Sequence, residues 1–252
     1  MANFIVSTNV LTFTATSSTA ATDHPASNLA LPKCPFRTWR SVGTGTEHIV
    51  LNLGAEYTVG AVMLHHGNFT QFDLYTAPAS ESYTIRADDY SFSKDTDVNR
   101  RKYWLTLGTA AVKYIKIDPG SIVAGETYWE LGSVVVFGTT VTLGDNPSAP
   151  RRIGHRQAHT RVEFAGGGFE INEDGEPYLE YWLESPYWDK RSTATIRGQL
   201  FDLLNAGIAA PIGLYENQSD VTKCYLLGRL ENPDFNEQYS TFETGIALRE
   251  YV

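Results

Sequence analysis

Cysteine is nearly absent from this chain: Cys34 and Cys224 are the only two in 252 residues, and they lie in opposite halves. So sparse a set cannot form the disulfide framework of a small secreted scaffold, and it suits folding in a reducing compartment. Long apolar runs are missing as well. The stretch MANFIVSTNVLTFTATSSTAATDHP at the N-terminus has neither a basic cluster nor an apolar segment of spanning length, so neither a secretory signal nor membrane insertion is expected. Basic charge is in deficit, with a formal net charge of −9. The deficit is uneven: residues 1–139 carry 10 basic and 12 acidic side chains, and residues 140–252 carry 10 and 17. Neither half has the basic footprint of a sequence-specific nucleic-acid binder.

Catalytic signatures are also lacking. There is no G-x-S-x-G elbow, no H-E-x-x-H pair and no phosphate-cradling glycine loop; Gly166-Gly167-Gly168 lies between two β-prone runs, where a hairpin accounts for it. Glu180 and Glu184 have the chemistry of a glycosidase pair, but an acidic segment offers many such pairs by chance. The chain is therefore expected to be non-enzymatic and to need no cofactor. His65 and His66 are adjacent, so on a regular strand they would point to opposite faces, and no Cys or carboxylate flanks them at ligand spacing. No metal site is expected.

What the chain does have is short alternating runs. Ile49, Leu51 and Leu53 alternate with Val50 and Asn52 until Gly54, and Val59, Val62 and Leu64 begin another run. Tyr83–Ala87 and Tyr103–Leu107 follow, then Ile115 and Ile117 alternate with Tyr114 and Lys116 up to the turn signal Asp118-Pro119-Gly120. Asp88-Asp89 and the charged run 95–102 read as solvated hairpin tips. Leu131–Phe137 closes the series. It is apolar on both faces except at Ser133, so Val135 and Phe137 are expected to be covered, by the second half of the chain or by a neighbouring subunit. Residues 1–139 thus read as an all-β sandwich, residues 140–152, with Asn146-Pro147 and Ala149-Pro150, as a linker, and residues 153–252 as a second β domain. In that domain Ile196, Leu200, Leu203 and Leu204 fall at helical spacing, which predicts one α-helix at about 189–206 closed by Gly207.

The order of motifs in the first half, Ala26–Leu29 (A-S-N-L), His48–Gly54, Val59–Leu64, Val112–Pro119 and Glu130–Gly138, resembles the discoidin or coagulation-factor C-type family. The resemblance implies a galactose-binding-like jelly roll whose loops at one end hold a sugar, lipid head group or partner protein. It commonly brings an Asp-Gly pair after A-S-N-L that helps hold calcium; Ala30-Leu31 stand there instead. Arg37, Trp39, Arg40, Phe69, Phe72 and Tyr75 would lie in the loops where such a fold binds ligands, with residue types suited to a carbohydrate or to a protein interface.

The second half, through 182–215 and 242–252, resembles the β-barrel-plus-helix domain of tailed-phage tail-tube, distal-tail and minor-tail proteins. Taken together the two resemblances imply a structural component of a phage tail tip or baseplate, assembled in the host cytoplasm. It would form a homo-oligomeric ring through its C-terminal domain and display the discoidin-like module to other tail proteins or to cell-surface carbohydrate. A soluble lectin-like protein is the alternative.

Overall fold

The computed structural model describes residues 5–7, 9–31, 37–91, 101–142, 152–163, 169–189, 211–215, 224–229, 235–237 and 241–250. Within them the chain is mainly β. The strands are β1 (Ile5–Ser7), β2 (Val10–Leu11), β3 (Thr14–Ser17), β4 (Trp39–Arg40), β5 (Ile49–Gly67), β6 (Phe69–Ala77), β7 (Thr84–Ser91), β8 (Arg101–Ile122), β9 (Glu130–Leu131) and β10 (Ser133–Phe137). They continue as β11 (Val141–Thr142), β12 (Arg152–Glu163), β13 (Phe169–Asp189), β14 (Ile212–Tyr215), β15 (Cys224–Arg229), β16 (Phe235–Glu237) and β17 (Thr241–Glu250). A 3-10 turn occupies Ala26–Ala30. Asp189, the first residue of the expected helix, ends β13, and the rest of that helix lies outside the described residues.

Two sheets dominate. The first runs β2-β10-β5-β8-β6-β7 with β3 also on β5; the second runs β11-β1-β14-β15-β17-β13-β12 with β16 also on β17. β4 and β9 form a small third pair, and every pairing that involves β5, β8 or β10 is antiparallel.

β5 and β8 are each one long strand where the sequence suggested separate short ones. The ladder between them survives through register shifts around Asn52–Ala61, next to the positive φ angles of Gly54 (81°), Gly108 (58°) and Ala111 (56°). These bulges let the ribbon fold back on itself. Phe69 pairs with Ile122 at one end of β8, while its carbonyl accepts a hydrogen bond from the Tyr103 hydroxyl at the other end. Drawn straight, those ends would stand about 60 Å apart, so the strand must bend sharply between them.

The bend gives the jelly-roll-like sandwich. Ile49, Leu51, Ile115 and Ile117 from one arm of the ribbon share a single core with Val62, Leu64 and Tyr103 from the other and with Val134 and Val136 of β10. Asp118-Pro119-Gly120 does not end β8 as its composition suggested. Pairing with β5 stops at Ile117, so among the described residues β8 beyond it has only β6 beside it, and the missing N–H of Pro119 leaves no second ladder there incomplete.

The outer side of the same ribbon carries a second cluster: Ala61, Met63, Trp104, Val135 and Phe137, packed with Ile5, Tyr215 and Cys224. Alternation is the cause, since Val134 and Val136 face inward and their neighbours must face out. Trp104 stacks on Phe137 at 5.2 Å and on Tyr215 at 5.6 Å between ring centroids. β1 supplies the backbone side of this seam. It pairs with β11 (Ile5↔Thr142) and with β14 (Ile5↔Tyr215), so the segment that builds the sandwich starts and finishes in the second sheet. Ser7 Oγ donates to the Thr139 carbonyl, and Gly138 N–H to Asn9 O at 2.8 Å.

The seam has no spare volume. A Cβ on Gly213 would overlap Cζ of Phe137 and lie 2.9 Å from Cζ3 of Trp104. Gly213→Ala is expected to cost about 1–3 kcal/mol by overpacking, and Phe137→Ala about 3–5 kcal/mol by the cavity it opens. In urea unfolding the double variant should lose less than the sum of the two, because removing the ring frees the space the methyl needs; strict additivity would show that the two residues do not meet. Separately, Ala111 holds a left-handed φ that disfavours any residue with a Cβ, so Ala111→Gly should raise the free energy of unfolding in urea by up to about 1 kcal/mol.

Candidate functional site

One end of the sandwich is built from the 3-10 turn, the segment 37–48, the β5–β6 turn and the loop 123–129. Pro25, with φ −69° and ψ 156°, starts the turn, and Ala26 and Leu29 sink into the core. Its polar residues then fix the next segment: Asn28 Nδ2 donates to Thr38 O at 2.9 Å, His24 Nδ1 lies 3.2 Å from the same oxygen, and Arg40 N–H donates to His24 O at 3.2 Å.

That places Arg40 on β4 directly opposite Glu130 on β9. Arg40 Nε donates to Glu130 Oε1 at 2.9 Å, with side chains 35% and 20% exposed, and the guanidinium carbon stands 5.0 Å from the centre of the Tyr128 ring. Buried Asn68 locks the opposite wall: its Nδ2 donates to Tyr128 O and its Oδ1 accepts from Glu130 N–H, both at 2.8 Å. Ser41 Oγ accepts from Trp129 N–H at 2.8 Å, and the Trp129 indole donates to Gly45 O at 3.1 Å. A planar cation, a carboxylate and a phenol ring are thus held together at a half-exposed rim, with exposed Arg37 and Val42 nearby in sequence. Fixed donors beside a fixed acceptor are what a pair of neighbouring hydroxyl groups requires.

The six aromatic and arginine residues predicted for ligand loops are divided by the structure. Arg40 is on this rim, and exposed Arg37 precedes it in the same segment. Trp39, Phe69 and Phe72 are not; they are core, exposed by 0, 0 and 1%. The Trp39 indole donates to Ser17 Oγ and Thr19 O, both at 3.1 Å, and Phe69 packs against Phe72, Tyr103 and Trp129 with centroids 5.8, 5.9 and 6.4 Å away. The physical reason is that the aromatic stretch is strand β6, whose inward positions must fill the sandwich, and not a loop. Tyr75 lies on the outer face of β6, between buried Leu74 and Thr76. There Lys116 Nζ stands 4.3 Å from its ring centre and bonds Asp118 at 2.7 Å. Burial, then the charge of Asp73, holds the Tyr75 phenol above its ordinary range; burial, then Glu81, does the same for Tyr83. Val135 and Phe137 belong to the seam with the second sheet.

Sequence reasoning missed Tyr128, Glu130 and Asn68 as site residues. Glu130 stood in a quoted motif, but its partner is far away in the chain and no local spacing announces it. The histidine argument also needs correction. His66 has φ 60°, so the strand geometry breaks and the two rings lie 4.3 Å apart instead of on opposite faces. Among the described residues no group of three or more His, Cys, Asp or Glu could hold a metal ion. Cys224 is a buried free thiol, while Cys34 and the side chains of Glu180 and Glu184 lie outside the described residues.

No family model matches the chain, and no curated protein does. Solved structures similar to part of it include carbohydrate-binding modules. Chitosan-binding module 1, from a chitosanase/glucanase of Paenibacillus sp. IK-5, is 20% identical and covers 51% of this chain and 96% of its own, with a TM-score of 0.43. The family 32 carbohydrate-binding module of NanJ from Clostridium perfringens, solved with galactose, is 15% identical over 52% of this chain and 98% of its own, TM-score 0.43. A fucose-binding module from Streptococcus pneumoniae is 14% identical over 50% of this chain and 90% of its own, TM-score 0.41.

Proposed function

We propose that the chain is a non-catalytic carbohydrate-binding protein that takes a sugar at the rim formed by Arg40, Tyr128 and Glu130. The observation that carries this reading is the Arg40–Glu130 pair seated over an aromatic ring. Vicinal hydroxyls of a sugar accept from the guanidinium and donate to the carboxylate, while the apolar face of the pyranose rests against the phenol ring. Both side chains already neutralise each other, so a neutral glycan meets no unpaired charge on binding.

A glycan array followed by calorimetry tests it. Arg40→Ala should weaken any array hit by about 10- to 100-fold, the range for losing hydrogen bonds to a charged group. The unfolding free energy should move by less than about 1 kcal/mol, because the pair is partly solvated. A blank array, or binding that Arg40→Ala and Tyr128→Ala leave unchanged, overturns the reading. Trp39→Ala is no test, because it empties part of the core.

A second reading, a self-assembling structural component of the kind that builds phage tails, is favoured by one feature: a two-stranded ribbon at the end of the second sheet that extends past its neighbour. Mass photometry of the native chain across a wide concentration range should then show oligomers; monomer throughout overturns it.

A further inference from the structure

Of the three rim residues, Tyr128 alone lies outside the strands. Arg40 and Glu130 face each other on the β4–β9 ladder, whereas Tyr128 is half-buried in the loop that precedes β9. Its backbone makes one hydrogen bond among the described residues: the carbonyl accepts from Asn68 Nδ2 at 2.8 Å. The next residue is tied to the opposite wall, with Ser41 N–H donating to Trp129 O at 2.9 Å and Trp129 N–H donating to Ser41 Oγ at 2.8 Å. The direction of the Tyr128 ring therefore depends on what Asn68 does.

Asn68 sits in the turn between β5 and β6, 6% exposed, and both its backbone and its side chain are engaged with the loop. Its N–H donates to Glu130 O and its carbonyl accepts from Val123 N–H, each at 3.1 Å. Its Oδ1 accepts from Glu130 N–H at 2.8 Å, while Nδ2 serves Tyr128. One residue thus grips the loop where it leaves β8 and again where it enters β9. The two side-chain bonds need a donor and an acceptor at the end of one short side chain, which an amide supplies and a carboxylate, with two acceptors, does not.

We infer that Asn68 is the positioning residue for the aromatic wall of the sugar site. Its amide N–H fixes where the Tyr128 ring stands under the Arg40 guanidinium, whose carbon lies 5.0 Å from the ring centre. That decides whether a pyranose can rest on the ring while its hydroxyls reach Arg40 and Glu130. The inference rests on the carbohydrate reading above and adds a residue that never meets the sugar, since Asn68 is buried and acts through Tyr128. Arg40 and Glu130 keep their own ladder, so removing the Asn68 donor leaves the polar half of the site standing and displaces the aromatic half.

The full chain is titrated calorimetrically with the array glycan it binds most tightly, supplied as the free oligosaccharide. Asn68→Asp keeps an acceptor for Glu130 N–H but turns a carboxylate oxygen toward Tyr128 O, so it should weaken binding about 3- to 10-fold, the worth of one aromatic contact. Tyr128→Ala should weaken it by a similar factor. The double variant should then lose no more than Tyr128→Ala alone, because a ring that is absent cannot be misplaced. Losses that multiply, or an Asn68→Asp that binds as tightly as the native chain, overturn the inference and leave the carbohydrate reading standing. Val112→Ala thins the core beside the bend of the ribbon and should lower stability without changing affinity. An equal loss of affinity there would make the Asn68 effect one of general destabilisation and would also overturn the inference. If Asn68→Asp does not fold, Asn68→Ser, whose hydroxyl is too short to reach Tyr128 O, takes its place in the same cycle with the same expected outcome. A native chain that binds no glycan on the array overturns this inference together with the reading it rests on.

Discussion

Phe137 cannot move without moving two sheets. Its ring closes the outer cluster of the sandwich, stacks on Trp104 and fills the space that a side chain at position 213 would need. Because β10 alternates, the strand that completes the inner core with Val134 and Val136 must also offer Val135 and Phe137 to something else. Two large apolar residues left in water would cost several kcal/mol in lost burial, at about 1.5–3 kcal/mol for each. The second sheet removes that cost by laying β14 and β1 over them. From this one contact follows the placement of the rest: it fixes the side of the sandwich that is closed, and so which surfaces remain for binding.

The outer surface of the bent ribbon is accordingly divided. Near Met63, Trp104 and Phe137 it is apolar and covered; along β6 and the later part of β8 it is Asp73, Tyr75, Lys116 and Asp118, half-exposed and internally paired. The loop end is a third region, where Arg40 and Glu130 meet. In that outer patch Lys116 is seated over Tyr75 and bonded to Asp118 Oδ2, while the buried Oδ1 of Asp118 has no hydrogen-bond partner among the described residues. At the loop rim the guanidinium gives one N–H to Glu130 and makes no other hydrogen bond among the described residues.

Much of the sandwich was legible because its core positions alternate. Ile49, Leu51 and Leu53, and Ile115 and Ile117, recur at period two, and each is buried. The same reasoning failed where geometry depends on a neighbour. Gly54 looks like the end of a strand, yet a bulge carries the ladder past it; Pro119 looks like a turn, yet it pairs with Phe72, with no second strand on its other side among the described residues. Phe69 and Phe72 were placed on a binding loop because aromatic residues are common both in cores and at interfaces, and composition cannot separate the two. Tyr128, Glu130 and Asn68 were unreadable for a different reason: their positions come from hydrogen bonds to residues far along the chain, which leave no periodic trace.

The pairing of β1 with β14 was equally hidden, since three residues, Ile5–Ser7, carry too little pattern to show which strand they will join. Its consequence is mechanical. The chain enters the second sheet at β1, leaves to build the whole sandwich, and returns at β11 beside the strand it left. A module attached by a single linker can swing; one whose two ends are neighbouring strands of the same sheet, with Phe137 and Trp104 wedged against Tyr215, has its orientation set by two backbone ladders and a packed seam.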